Sequence, residues 1–290
     1  MISTQDNVRV NGVAEKSALL SCPPSSSGGQ LPEVWLELRR RILAFLEKEM
    51  DDEVLRNVQS QARVSIRVIE EALERYGPEQ LSLSYNGGKD CLVLLVLILA
   101  CLPTYTASST RPDANTTPPT TLQSIYISCP NPFPEVEDFV ASSAAHYHLD
   151  LTCSTLPMRA ALESYLQEKP SIKAIFVGTR RTDPHGELLK HFDPTDKDWP
   201  QFTRINAVID WHYTEIWTFI RSLDIPYCDL YNQGFTSLGS INNTHPNPAL
   251  ALDNNAQFRP AYELVDDDKE RWGRYSLALQ GKEDFSSKGE

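Results

Sequence analysis

Positive charge is scarce in this chain: 27 Lys and Arg stand against 39 Asp and Glu in 290 residues, a net charge of -12. That balance excludes a general nucleic-acid surface, so any anionic ligand must be met by a local basic pocket. The six cysteines, Cys22, Cys91, Cys101, Cys129, Cys153 and Cys228, form no C-x-x-C and no paired Cys/His spacing, which excludes a structural zinc and reads as reduced thiols. The apolar run Leu92 to Leu102 falls short of the roughly 20 residues needed to cross a bilayer. A basic-then-apolar leader is also missing, and Asp6 and Glu15 sit poorly in a transit peptide. The chain is therefore expected to be cytoplasmic, with no membrane and no nucleic acid among its partners. Both common phosphate loops are absent. G-x-G-x-x-G does not occur, and a Walker A loop would need glycine where Leu83 stands and Ser or Thr where Asp90 stands.

What is present begins with Leu81-Ser82-Leu83-Ser84-Tyr85-Asn86-Gly87-Gly88-Lys89-Asp90-Cys91. Leu81 to Tyr85 alternates like a short strand, Asn86-Gly87-Gly88 breaks the pattern, and the following apolar run suits a buried helix. A glycine turn at the positive end of a helix dipole is a natural phosphate site, and Lys89 adds a mobile charge there. With 41% apolar residues the chain can bury a real core, and we expect one catalytic α/β domain.

Residues 1–30, rich in Ser, Gly, Pro and Asn, are expected to form a flexible tail. Apolar residues at three-to-four spacing from Val34 to Tyr76 predict two helices within 31–77, closed by Gly77-Pro78. A nucleotide-binding core over 78–228 then alternates strands at 81–85, 122–128, 149–154 and 174–178 with helices at 92–102, 135–148 and 158–168. Such alternation predicts a mainly parallel sheet with helices on both faces and a ligand beyond the carboxyl ends of the strands. Pro103 to Thr121 reads as a surface insertion, and 229–290 as a carboxyl-terminal extension. Phe192, Trp199, Phe202 and Trp211 either pack a cover over the sheet or suit a flat polar-edged ring.

The loop Asn86-Gly87-Gly88-Lys89-Asp90-Cys91 resembles the Ser-Gly-Gly-x-Asp-Ser loop of enzymes that cleave ATP between its α- and β-phosphates, with Asn86 and Cys91 in place of the two serines. Together with Phe133-Pro134-Glu135, Gly178-Thr179-Arg180-Arg181-Thr182-Asp183-Pro184, the segment Arg204 to Trp217, Gly234-Phe235-Thr236-Ser237-Leu238-Gly239 and Glu270-Arg271-Trp272-Gly273-Arg274, it is similar to the eukaryotic FAD synthases of the PAPS reductase-like superfamily over about residues 35 to 275. The departures are the Pro103 to Thr121 insertion, Ala207 where proline is frequent, and Trp272. The resemblance implies the PAPS reductase-like, adenine nucleotide alpha hydrolase-like fold.

It also implies transfer of AMP from ATP to FMN, giving FAD and pyrophosphate with Mg2+. The FMN phosphate is already ionised at neutral pH, so no Ser, Cys or His nucleophile is needed. The work left is to align two polyanions and neutralise their charge. The resemblance casts Asn86, Lys89, Asp90, Asp183 and Arg271 as catalytic, with Asp90 and Asp183 linked to magnesium. It assigns ligand binding to Ser84, Tyr85, Gly87, Gly88, Arg180 or Arg181, Trp199, Arg204, Gly234 and Arg274. A monomer is expected. Two alternatives remain, a PAPS or APS reductase and a catalytically silent nucleotide-binding protein. The first lacks its carboxyl-terminal redox cysteine, since no cysteine follows Cys228.

Overall fold

The computed structural model describes residues 20–21, 31–108, 119–252 and 257–274. Most of the expected tail and the centre of the 103–121 insertion lie outside the described residues.

Among the described residues seven strands form one sheet: β1 Leu20–Ser21, β2 Leu81–Ser84, β3 Leu122–Ile127, β4 Leu149–Ser154, β5 Ala174–Phe176, β6 Phe192–Pro194 and β7 Thr203–Ile205. Their spatial order is β1-β4-β3-β2-β5-β7-β6. The inner pairs are parallel, with Leu83 beside Ser124 and Phe176, and the two edges, β1 on β4 and β6 on β7, are antiparallel. The chain steps outward from β2 through β3 to β4, then crosses back to place β5 on the other side of β2. Strand order therefore reverses between β2 and β5, and a crevice opens beyond their carboxyl ends.

The described residues form six helices: α1 Glu33–Glu47, α2 Glu53–Tyr76, α3 Lys89–Ser108, α4 Pro134–His146, α5 Met158–Glu168 and α6 Tyr213–Ser222. Asp52 caps α2 by accepting the Leu55 N–H at 2.9 Å, and Gly77 ends it at φ 75°. Side chains alternate between the faces of β2 and β5. Leu81, Leu83, Ala174 and Phe176 enter the main core with α1–α4 and α6, whereas Ile175 joins the smaller cluster under α5 with Ile125, Leu162 and Tyr165. Ser82 faces the α5 side, fully buried, and shares a 2.7 Å hydrogen bond with the Tyr165 hydroxyl. The polar position Ser82 in this alternation is thus an internal tie.

From Leu92 to Leu102 every side chain of α3 is buried, because α3 lies between the sheet and an outer layer of α1, α2 and α6. The helix runs to Ser108 and does not stop at Pro103 as the sequence predicts. A proline inside a helix costs about 3 kcal/mol. Here the burial of the turn that precedes Pro103 outweighs it, and Arg39 Nη1 donates to the Ala100 carbonyl at 3.1 Å on this turn. Among the described residues after α6 the helical elements are short 3-10 turns. They fold back over the strand ends, anchored where the Tyr213 hydroxyl donates to the Ala261 carbonyl at 2.8 Å and the Tyr213 N–H to Asp267 Oδ1, also at 2.8 Å.

Candidate active site

The loop after β2 and the loop after β5 meet at the sheet's switch point. In the first, Gly87 sits at φ 69°, and a Cβ there would lie 2.9 Å from Val140 Cγ2, so the turn needs glycine both for its backbone and for its closeness to α4. The Gly88 N–H donates to Asn86 Oδ1 at 3.0 Å and the Lys89 N–H to the Tyr231 hydroxyl at 3.0 Å. These two amides, expected to await a phosphate, are already bonded.

Gly178 lets the β5 loop press on the first turn of α3: a Cβ would lie 2.7 Å from Cys91 Sγ and 2.9 Å from the Cys91 backbone nitrogen. We expect Gly178→Ala to lower stability by about 1–3 kcal/mol, as overpacked sites do. Adding Cys91→Ala should restore only part of this, because the backbone contact remains. Urea unfolding checks both variants, and an undisturbed midpoint for Gly178→Ala would contradict the close approach. Burial pushes the Cys91 thiol up to about 12, so it is a packing group and no nucleophile.

Beneath the two loops lies a buried ion network. Lys89 Nζ reaches Asp90 Oδ2 at 3.0 Å and Glu270 Oε1 at 2.5 Å, Arg180 Nε reaches Asp90 Oδ1 at 2.7 Å, and Arg180 Nη2 pairs with Glu270 Oε2. Lys89 and Arg180 are 2% and 0% exposed, values that remove both from direct solvent. Burial disfavours the Lys89 ammonium, but Asp90 and Glu270 outweigh it and hold its pKa above the ordinary lysine value. Burial would likewise raise the Asp90 carboxyl, yet the Lys89 and Arg180 charges hold it below the carboxylate range. Two cations and two carboxylates cancel.

A cavity of about 450 Å³ opens above this network, between the two loops, the end of β3 and the carboxyl-terminal extension. Of the residues singled out in the sequence, Ser84, Asn86, Gly88, Lys89, Asp90, Asp183, Arg271 and Arg274 line it. Seven do not. Tyr85 points into the core and bonds the Ser143 hydroxyl at 2.8 Å. Gly87 packs on α4, and Arg180 lies behind Asp90. Arg181 pairs with Asp210 at 2.7 Å and donates to the Glu187 and Leu189 carbonyls, closing its own loop. Trp199 packs on the small cluster under α5. Arg204 donates to the Pro194 carbonyl at 3.3 Å along the sheet edge. Gly234, at φ 86°, ends a 3-10 turn against Phe258. Lys89 itself is no mobile phosphate hook, since its charge is spent on Asp90 and Glu270.

The charge facing the cavity without a carboxylate partner comes from Arg271 and Arg274. Among the described residues neither forms an ion pair. Arg274 Nη1 donates to the Leu238 carbonyl at 2.8 Å and the Ser237 hydroxyl at 3.4 Å. Burial, then the nearby Arg271 charge, lowers its pKa. Two adjacent uncompensated guanidiniums on a cavity wall make an anion site. Asp183 lines the opposite loop, partly exposed, with Oδ2 accepting the Arg180 N–H at 2.9 Å. No group of three or more metal-binding side chains occurs among the described residues. Magnesium in phosphate sites commonly takes one or two carboxylates and the substrate's own oxygens, and Asp183 fits that donor set. Asp90 also lines the cavity, and its carboxylate already faces Lys89 and Arg180. Glu270 and Tyr231 also line the cavity; Glu270 opens the carboxyl-terminal motif but carries no role in the sequence reading, and Tyr231 is not singled out there.

Comparison with known proteins matches residues 80–169 and 151–246 to the phosphoadenosine phosphosulfate reductase domain. A probable FAD synthase of Schizosaccharomyces pombe is 40% identical over 77% of this chain and 82% of its own length. A probable FAD synthase of Caenorhabditis elegans is 34% identical over 84% of this chain, which spans 46% of that longer relative. The crystal structure of Candida glabrata FMN adenylyltransferase in complex with FMN and the ATP analogue AMPCPP superposes with a TM-score of 0.76 at 31% identity, covering 83% of this chain and 99% of the other. On the strength of this similarity, and of a sheet whose switch point carries the glycine loop, the chain belongs to the FAD synthase family on the PAPS reductase-like fold.

Proposed function

We propose that the chain is an ATP:FMN adenylyltransferase, forming FAD and pyrophosphate from ATP and FMN. The single observation that carries this reading is the pair Arg271 and Arg274, uncompensated on the wall of a cavity at the switch point. Family membership supplies the substrates: a related structure holds FMN with an ATP analogue, and another holds FAD with inorganic pyrophosphate.

In the reaction a phosphate oxygen of FMN forms a bond to the α-phosphorus of ATP, the bond from that phosphorus to the β-phosphate bridging oxygen breaks, and pyrophosphate leaves with the electron pair. The nucleophile arrives ionised, so no side chain has to remove a proton, in keeping with a cavity that offers a protonated Cys91 and carboxylates already engaged. Arg271 and Arg274 neutralise the triphosphate and the leaving pyrophosphate. The positive end of α3 beneath the glycine loop adds to that field. Asp183 is the carboxylate to hold Mg2+, which when bound would screen phosphate charge and orient the α-phosphate. Asn86 shapes the loop through its bond to Gly88. Asp90 acts through Lys89 and Arg180.

We read the chain as working in the cytoplasm as a monomer. Among the described residues no helix is long and apolar enough to cross a membrane. The test is incubation with ATP, FMN and magnesium, with chromatographic detection of FAD. An equivalent of pyrophosphate is expected for each FAD.

A further inference from the structure

We infer that Glu270 is a positioning residue for this reaction: its carboxylate docks the carboxyl-terminal extension onto the phosphate loop and so sets Arg271 over the cavity. The inference rests on the adenylyl-transfer reading above and adds to it a residue with no contact to the reacting atoms.

Glu270 is 5% exposed and held at both ends. Its side chain bridges Lys89 Nζ at 2.5 Å and Arg180 Nη2, one cation from the loop after β2 and one from the loop after β5. Its backbone carbonyl accepts the Thr236 hydroxyl at 2.6 Å. Thr236 is in turn gripped by the fully buried Asn247, whose Nδ2 donates to Thr236 Oγ1 at 2.8 Å and to the Lys269 carbonyl at 2.7 Å. Arg271 follows directly, and its carbonyl accepts the Arg274 N–H at 2.8 Å. The two arginines that face the cavity are thus carried on a short segment that Glu270 ties through charge to the loops after β2 and β5, while Asp267, three residues earlier, holds the Tyr213 N–H.

The same carboxylate completes the charge balance. With Asp90 it cancels Lys89 and Arg180, which leaves the triphosphate to Arg271 and Arg274. A neutral side chain at 270 would leave Lys89 and Arg180 sharing one carboxylate, a buried net positive charge that draws the triphosphate or a neighbouring acid toward the wrong groups and releases the segment bearing Arg271.

The test is a double-mutant cycle on Glu270→Gln and Arg271→Ala, read as kcat/KM for ATP and, without FMN, as ATP affinity by calorimetry. If Glu270 acts by placing Arg271, each single variant loses about 100-fold in kcat/KM, and the double variant falls no more than about 3-fold below the worse single one. A Glu270 whose loss merely lowers the folded fraction would give multiplying losses, about 10⁴-fold in the double variant, and that result overturns the inference. Should Glu270→Gln not fold, Lys89→Met/Glu270→Gln, which removes one charge of each sign, serves as the background for the same cycle. The affinity measurement reads the coupling without turnover. A parent chain that binds ATP with non-additive variants but makes no FAD would uphold the positioning role and refute the reaction.

Discussion

Lys89→Met should cost the chain about 3–5 kcal/mol of unfolding free energy, the range found when one partner of a buried ion pair is removed. The lysine has the position of a phosphate hook, yet its ammonium is 2% exposed and sits between Asp90 and Glu270. Removing it leaves two buried carboxylates facing one guanidinium. The backbone would be little disturbed, since the Lys89 N–H to the Tyr231 hydroxyl is a main-chain bond, so the loss is electrostatic. Relief should follow from Glu270→Gln in the same chain, which restores neutrality among the remaining groups. Chemical denaturation of the single and double variants measures this. A Lys89→Met protein of unchanged stability and reduced ATP affinity would return the lysine to the role of direct phosphate ligand.

Arg271→Ala should behave in the opposite way. Its side chain is exposed and forms no ion pair among the described residues, and surface truncations of this kind stay within about 0.5 kcal/mol in stability. Losing one preorganised positive group that faces developing negative charge costs about 10²- to 10³-fold in rate. We therefore expect kcat/KM for ATP to fall by roughly 100-fold with the melting temperature unchanged, and Arg271→Lys to recover part of the loss, as a point charge replaces a fork. Steady-state kinetics beside thermal unfolding separates the two readings. Wild-type turnover in Arg271→Ala would show that the arginine is only surface.

The contrast between these variants also measures what the sequence can tell. Four parallel strands and their helices are legible because apolar strands alternate with apolar helical stretches at regular intervals and glycine or proline marks several of their ends. The edge strands β1 and β6, two and three residues long, carry no period to read. The helix α3 outruns Pro103 because tertiary burial overrides a local penalty. At the site, the motif residues Asn86, Gly88, Asp183, Arg271 and Arg274 do converge on one cavity. The division of charge among them was hidden. Lys89 and Arg180 look like phosphate ligands until Glu270, 181 residues from Lys89 and 90 from Arg180, is seen to neutralise both. Arg181, Trp199 and Arg204 are polar or aromatic side chains in the right segments that serve loop closure, packing and the sheet edge. Such pairing depends on contacts between distant segments, which no local pattern reports.

The most direct measurement follows ATP, FMN and their products in one reaction with the purified chain and magnesium, with riboflavin replacing FMN in a parallel sample. FAD and pyrophosphate appearing in equal amounts, with no ADP and no product from riboflavin, is the result this account predicts. Formation of FMN and ADP from riboflavin, or no FAD from FMN, would contradict it.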